Sequence, residues 1–276
     1  MLFFVLGPTE IRGENHAIRP KGAIQQLLFA SFMATAGRTV TVETLSEELW
    51  GTTPPRKMHN ALQAQVSRLR RTLARVESEN ESLPRIVSTV SGYQFNIQQG
   101  ELDAHVFLNT VETLRFAGDR DVRRSINDLR KALVLWRGPA FSGFTGGPLC
   151  RIAASRYEEA RISALELLFG MELKADGHAR IIPELTEVSA ENPTQENFCR
   201  LLMVALYRSG RHIDALNVYR QFRHRLNEEI GVDPSPMLRW YENAILGHDP
   251  MLLEESVPAS ENIVRTRDLV MGHQGA

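Results

Sequence analysis

Only two cysteines, Cys150 and Cys199, occur in the 276-residue chain, and they form no CxxC pair. That scarcity excludes a disulfide framework and a cysteine-rich zinc site, and two lone thiols fit the reducing cytoplasm. No run approaches the roughly 20 apolar residues that cross a bilayer, so no membrane partner is expected. The apolar start, Met1 to Leu6, has no basic flank and stops at Gly7-Pro8. It reads as an edge strand entering a turn, not as a signal peptide.

The patterns of catalysis are missing too. Gly143-Phe144-Thr145-Gly146-Gly147 is glycine-rich but lacks the GK[ST] that would cradle a phosphate. Ser142 does not sit in a G-x-S-x-G elbow. None of the eight histidines forms HExxH or stands beside a cysteine at zinc-ligand spacing. No catalytic residue, metal or cofactor is expected, and the chain does not read as an enzyme.

The most telling absence is of negative charge in one stretch. The formal net charge is −1, yet residues 1–100 hold 11 Lys/Arg against 8 Asp/Glu, and the rest hold 21 against 25. The positive excess comes from "RKMHNALQAQVSRLRRTLARV", residues 56–76, which carries Arg56, Lys57, Arg68, Arg70, Arg71 and Arg75 and no acid. Its apolar residues Met58, Leu62, Val66, Leu69, Leu73 and Val76 fall three or four apart, the stripe of a helix lying on a core. Lys57, Asn60, Gln63, Ala64, Ser67, Arg68 and Arg71 then point away from the core, with Arg70 and Arg75 on the flanks. Solvated helix faces ordinarily mix signs, because Glu–Lys pairs one turn apart add stability and like charges cost it. A face of donors without an acid points to a polyanion, and DNA is the leading reading.

The surroundings supply a context. Residues 1–20 read as short strands, Ala23–Ala34 as a helix closed by Gly37, and Thr41 as the cap of a second helix with Leu49-Trp50 on its buried face. Gly51 and the stiff turn Thr52-Thr53-Pro54-Pro55 lead into the basic helix. A hairpin over 83–97 follows, with Ser91-Gly92 as its turn. Helix, helix, basic helix and hairpin make a winged helix-turn-helix, whose last helix enters the major groove. Arg68, near the middle of that helix, is the candidate for bidentate bonding to guanine O6 and N7. Asn60, Gln63 and Ser67 are candidates for bases or phosphates. Lys57, Arg70, Arg71 and Arg75, with Arg85 and Ser88 near the wing, are candidates for phosphates.

After residue 100 only helical spacing survives. Gly177 and Gly210 lie 33 residues apart, close to the tetratricopeptide period, and Leu202, Gly210, Ala215 and Tyr219 suit that repeat. The expected fold is mainly α with a small β component. It comprises a winged-helix DNA-binding domain over 1–98, an all-α tetratricopeptide-like array over 101–248, and a tail over 249–276 expected to be disordered in part.

"LQAQVSRLRRTL" followed by "PRIVSTVSGYQF" resembles the winged-helix output domain of OmpR-type regulators. "LDAHVF", "ALVLWRGPAF", "LMVALYRSGRHIDALNVYRQFRHRL" and "EEIGVDPSP" resemble the bacterial transcriptional activator domain. With "ELWG" before the proline-rich loop, the chain resembles the Streptomyces antibiotic regulatory proteins, activators of biosynthetic gene clusters. The resemblance implies a cytoplasmic, nucleoid-associated activator that binds tandem direct repeats of double-stranded DNA and self-associates there as a dimer or higher. It implies that Ala64 faces a thymine methyl and that Thr52, Thr53, Pro54, Pro55 and Arg56 face the sigma and flap regions of RNA polymerase. Ile24 and Gln26 stand where related proteins often carry basic residues, with Lys21 and Arg19 nearby. A reading from another class stays open: a tetratricopeptide-like adaptor whose basic winged helix meets an acidic protein.

Overall fold

A computed structural model describes residues 1–13, 16–76, 84–116, 121–143 and 146–254. Among them are ten α-helices and six short strands, so the protein is mainly α with a small β component. No described helix is long and apolar enough to cross a membrane. The chain packs as two compact units, one of residues 1–118 with 127–164 and one of 119–126 with 165–276.

The first unit opens with β1 (Leu2–Phe4), β2 (Glu10–Arg12) and β3 (Ala17–Ile18), an antiparallel sheet in that order with β1 at its edge. Helix α1 (Ala23–Thr35) follows, then β4 (Thr39–Thr41), α2 (Val42–Trp50) and α3 (Met58–Leu73). The short strand β4 is not among the elements expected from sequence. It joins β5 (Ile86–Ser88) and β6 (Gly92–Phe95) in a second antiparallel sheet ordered β4-β6-β5. Thr41 caps α2 as expected, its hydroxyl accepting from the Thr44 N–H at 3.2 Å. Phe3, Phe29, Phe32 and Phe95 are fully buried or nearly so, and the Phe95 ring meets Phe3 edge-on at 5.3 Å. That cluster welds the first sheet, α1 and the second sheet into one core.

Two local readings change. Trp50 is half-buried rather than core, while Leu49 is 5% exposed. Gly92 is the first residue of β6, and the hairpin tip is Thr89-Val90-Ser91. The reason is steric: a Cβ on Gly92 would lie 2.0 Å from the Val40 carbonyl oxygen, so β6 can lie against β4 only with glycine there.

Helix α4 (Asp103–Arg115), most of α5 (Val122–Leu133), a 3-10 turn at Ala140–Gly143 and the start of α6 (Pro148–Lys174) belong to this same unit. They close over the N-terminal strand. The Asp103 carboxylate accepts from the Val5 and Leu6 N–H groups at 2.9 and 3.1 Å. Burial pushes its pKa up against the pull of those donors and the Ala104 N–H. Phe141 and Arg137 donate their N–H groups to the carbonyls of Val5 at 2.7 Å and Leu6 at 2.8 Å. Gly7, at φ 129°, lies so close to Arg137 that a Cβ would sit 2.9 Å from the arginine's own Cβ. Gly146 and Gly147 serve a similar close approach. A Cβ on Gly147 would lie 2.6 Å from the buried Glu48 carboxylate, which accepts from the Leu149 N–H at the start of α6. Of that stretch, Phe144 and Thr145 lie outside the described residues.

The second unit contains α7 (His178–Glu191), α8 (Glu196–Arg208), α9 (His212–Glu229) and α10 (Pro236–Leu246). Helix α8 packs against both α7 and α9. Leu202, Ala215 and Tyr219 are buried, and Gly210 makes the turn at φ 75°. Around Gly177 the left-handed residue is instead Asp176, at φ 55°, with Gly177 itself at φ −79°. Gly177 is small for another reason, since a Cβ would lie 2.7 Å from the buried Glu172 carboxylate. Leu252 is buried and its carbonyl accepts from Arg208 Nε at 2.8 Å, so packing continues into the segment expected as tail. Residues 255–276 of that tail lie outside the described residues.

Candidate nucleic-acid interface

Helix α3 buries Leu62, Val66, Leu69 and Leu73, each no more than 1% exposed. That fixes its opposite face. Asn60, Gln63, Ala64, Ser67, Arg68 and Arg71 on the helix, with Lys57 before it and Arg75 after it, are exposed. Among the described residues no ion pair engages Arg56, Lys57, Arg68, Arg71 or Arg75. Arg70 and Arg71 fall in the last turn, where a cation also complements the helix dipole. That accounts for two cations at one end and leaves the rest of the face unexplained by helix stability.

Two of the phosphate candidates, Arg85 and Arg70, are placed differently by the fold. Arg85 is 6% exposed, and its Nη1 and Nη2 donate to the Glu101 carboxylate at 2.7 and 2.8 Å. Burial pushes the Glu101 carboxyl up, but the Arg85 hydrogen bonds and the Gln98 N–H outweigh it and hold the group below its ordinary pKa. A guanidinium so enclosed cannot reach a phosphate, so Arg85 leaves the candidate set. Its job is to tie β5 to the start of α4. Arg70 is exposed, yet Nε and Nη2 donate to the Ile86 carbonyl at 3.1 and 2.9 Å, and Nη2 also to Ser88 Oγ at 3.2 Å. Ser88 itself is exposed at the end of β5. Thr52, Thr53, Pro54, Pro55 and Arg56 form an exposed loop between α2 and α3, pinned where Thr53 donates its N–H to the Trp50 carbonyl at 3.2 Å.

The arrangement is a cationic helix face with a hairpin beside it. It can grip an extended anion. Comparison with known proteins agrees. The pattern of the "Transcriptional regulatory protein, C terminal" family matches residues 22–97, and that of the "Bacterial transcriptional activator domain" matches residues 102–246. Transcriptional regulator RedD of Streptomyces coelicolor is 38% identical over 248 residues, which cover 90% of this chain and 71% of RedD. Regulatory protein DnrI of Streptomyces peucetius is 32% identical over 94% of this chain and 97% of DnrI.

The chain belongs to the Streptomyces antibiotic regulatory protein family. As a member of that family it is a transcription regulator and not an enzyme. The fold of this family member also matches the structure of Mycobacterium tuberculosis EmbR in complex with a low-affinity phosphopeptide. The TM-score is 0.82 at 23% identity, over 98% of this chain and 70% of EmbR. Sequence reasoning about this regulator missed Asp103, Glu101 and Glu48, whose carboxylates hold the first unit together. The motif "LDAHVF" contains Asp103 but carries no sign of the partner of that aspartate.

Proposed function

We propose that this regulator activates a secondary-metabolite gene cluster by seating α3 in the major groove of tandem direct repeats near a promoter. The observation that carries the reading is the acid-free exposed face of α3, where Arg68 and Arg71 make no ion pair among the described residues. Family membership supports DNA binding in general, and the names of RedD and DnrI support a regulatory role. Within the face, Arg68 reads a guanine, Ala64 meets a thymine methyl, and Asn60, Gln63 and Ser67 contact bases or phosphates. Lys57, Arg71 and Arg75 hold phosphates, which position the helix but carry no sequence information. The exposed Thr52–Arg56 loop faces RNA polymerase, and the helical residues beyond 101 provide contacts between copies.

The test separates base reading from charge. Arg68→Ala should relax discrimination at one base pair, costing about 1–3 kcal/mol there, and should leave random duplex bound nearly as before. Competition binding with single-base operator variants reads this directly. Equal loss on operator and random DNA would remove Arg68 from the readout.

A further inference from the structure

We infer that Arg70 is a positioning residue that locks the wing to the recognition helix, and that Val90 at the wing tip touches DNA only while this lock holds. The inference rests on the DNA-binding reading above. Its basis is the way the hairpin is held on both sides. On one side Gly92 pairs with Thr41, and the Val42 N–H at the start of α2 donates to the Ser91 carbonyl at 3.2 Å. The tip is tight: the Thr89 N–H donates to Gly92 O at 2.9 Å, and the Gly92 N–H to Thr89 Oγ1 at 3.1 Å. On the other side β5 is the edge strand, with outward backbone groups that its neighbour cannot satisfy. Arg70 takes one of them, the Ile86 carbonyl, with two nitrogens and reaches on to Ser88 Oγ. A planar guanidinium holding two acceptors two residues apart along a strand fixes both distance and angle.

The tip so held presents Val90, fully exposed and flanked by exposed Ser91. An isolated apolar side chain at the apex of a braced hairpin, beside a cationic helix, suits insertion into a DNA groove better than it suits water. Arg70 then contributes through geometry, not through charge.

Binding of the full chain to its operator, titrated with salt, distinguishes the alternatives. Arg70→Ala should weaken binding about tenfold, the value of a charge-assisted hydrogen bond. The slope of log K against log salt should stay the same, whereas loss of a phosphate contact would make it shallower by about 0.9. Arg70→Lys keeps the charge but not the fork, so it should resemble the alanine variant; full rescue by lysine would overturn the inference. Val90→Gly, at an exposed tip where folding is not at stake, should weaken the parent about fivefold and the Arg70→Ala protein hardly at all. Additive losses, a shallower slope, or a Val90→Gly protein that binds like the parent would each overturn it. Should Arg70→Ala unfold in a thermal melt, Arg70→Lys and Val90→Gly carry the same cycle. If the parent chain shows no salt-dependent DNA binding at all, the DNA reading fails and this inference falls with it.

Discussion

A fragment ending at Gln98 should fail to fold cooperatively, although it contains every element of the winged helix, whereas one ending at Ala164 should fold and bind DNA. The cut at 98 removes the Asp103 carboxylate from the Val5 and Leu6 N–H groups, and the Arg137 and Phe141 N–H groups from the carbonyls of the same two residues. It removes Glu101, whose carboxylate accepts from both Nη1 and Nη2 of the buried Arg85 guanidinium. It also uncovers Phe3, Val5 and Leu6, all fully buried in the intact unit. Breaking one buried ion pair alone costs about 3–5 kcal/mol, and a whole domain is stable by only about 5–15 kcal/mol. Urea unfolding followed by circular dichroism reads the difference. Equal midpoints for the two fragments would mean that the contacts of residues 101–141 on the first strand are dispensable.

The second large effect concerns arrangement on DNA. If the proposed direct repeats are the binding site, more than one copy occupies a promoter. Direct repeats place copies on the same face of the duplex about one helical turn apart. Head-to-tail neighbours then meet through two different surfaces, a heterologous contact that does not close into a symmetric dimer. Inserting about five base pairs between repeats turns one copy to the opposite face of the duplex. Activation of a reporter promoter should be abolished, while each half-site still binds one copy in a mobility shift. Activation indifferent to the insertion, or a footprint over an inverted repeat, would exclude this assembly.

What could be read from sequence follows the range of the interactions. The stripe Leu62, Val66, Leu69 and Leu73 is local, repeats every three or four residues, and appears in the fold as expected. The Thr41 cap and the turn at Gly210 are equally local. The burial of Arg85 is not legible in sequence because its partner Glu101 lies 16 residues away, across a hairpin and a turn, where no spacing rule applies. The same holds for Gly147, which looked like part of a failed phosphate loop and is small because Glu48 packs against it. Gly92 looked like a turn residue until β4, too short to announce itself, proved to lie beneath it. At the interface the exposed face of α3 is legible in sequence, but the division of labour within it is not. Arg70 and Arg71 are neighbours in sequence, yet only Arg70 is bound to the hairpin.

In the proposed mode the exposed face of α3 grips DNA through cations that make no ion pair among the described residues. The most direct test of this mode is the affinity of the full chain for random duplex across a range of salt concentrations. With Lys57, Arg71 and Arg75 on phosphates, log K should fall with log salt at a slope of roughly −3 per bound copy, and Arg71→Ala should make the slope shallower by about one. A slope near zero, or one that Arg71→Ala leaves untouched, would overturn DNA binding by this face and favour an acidic protein as its partner.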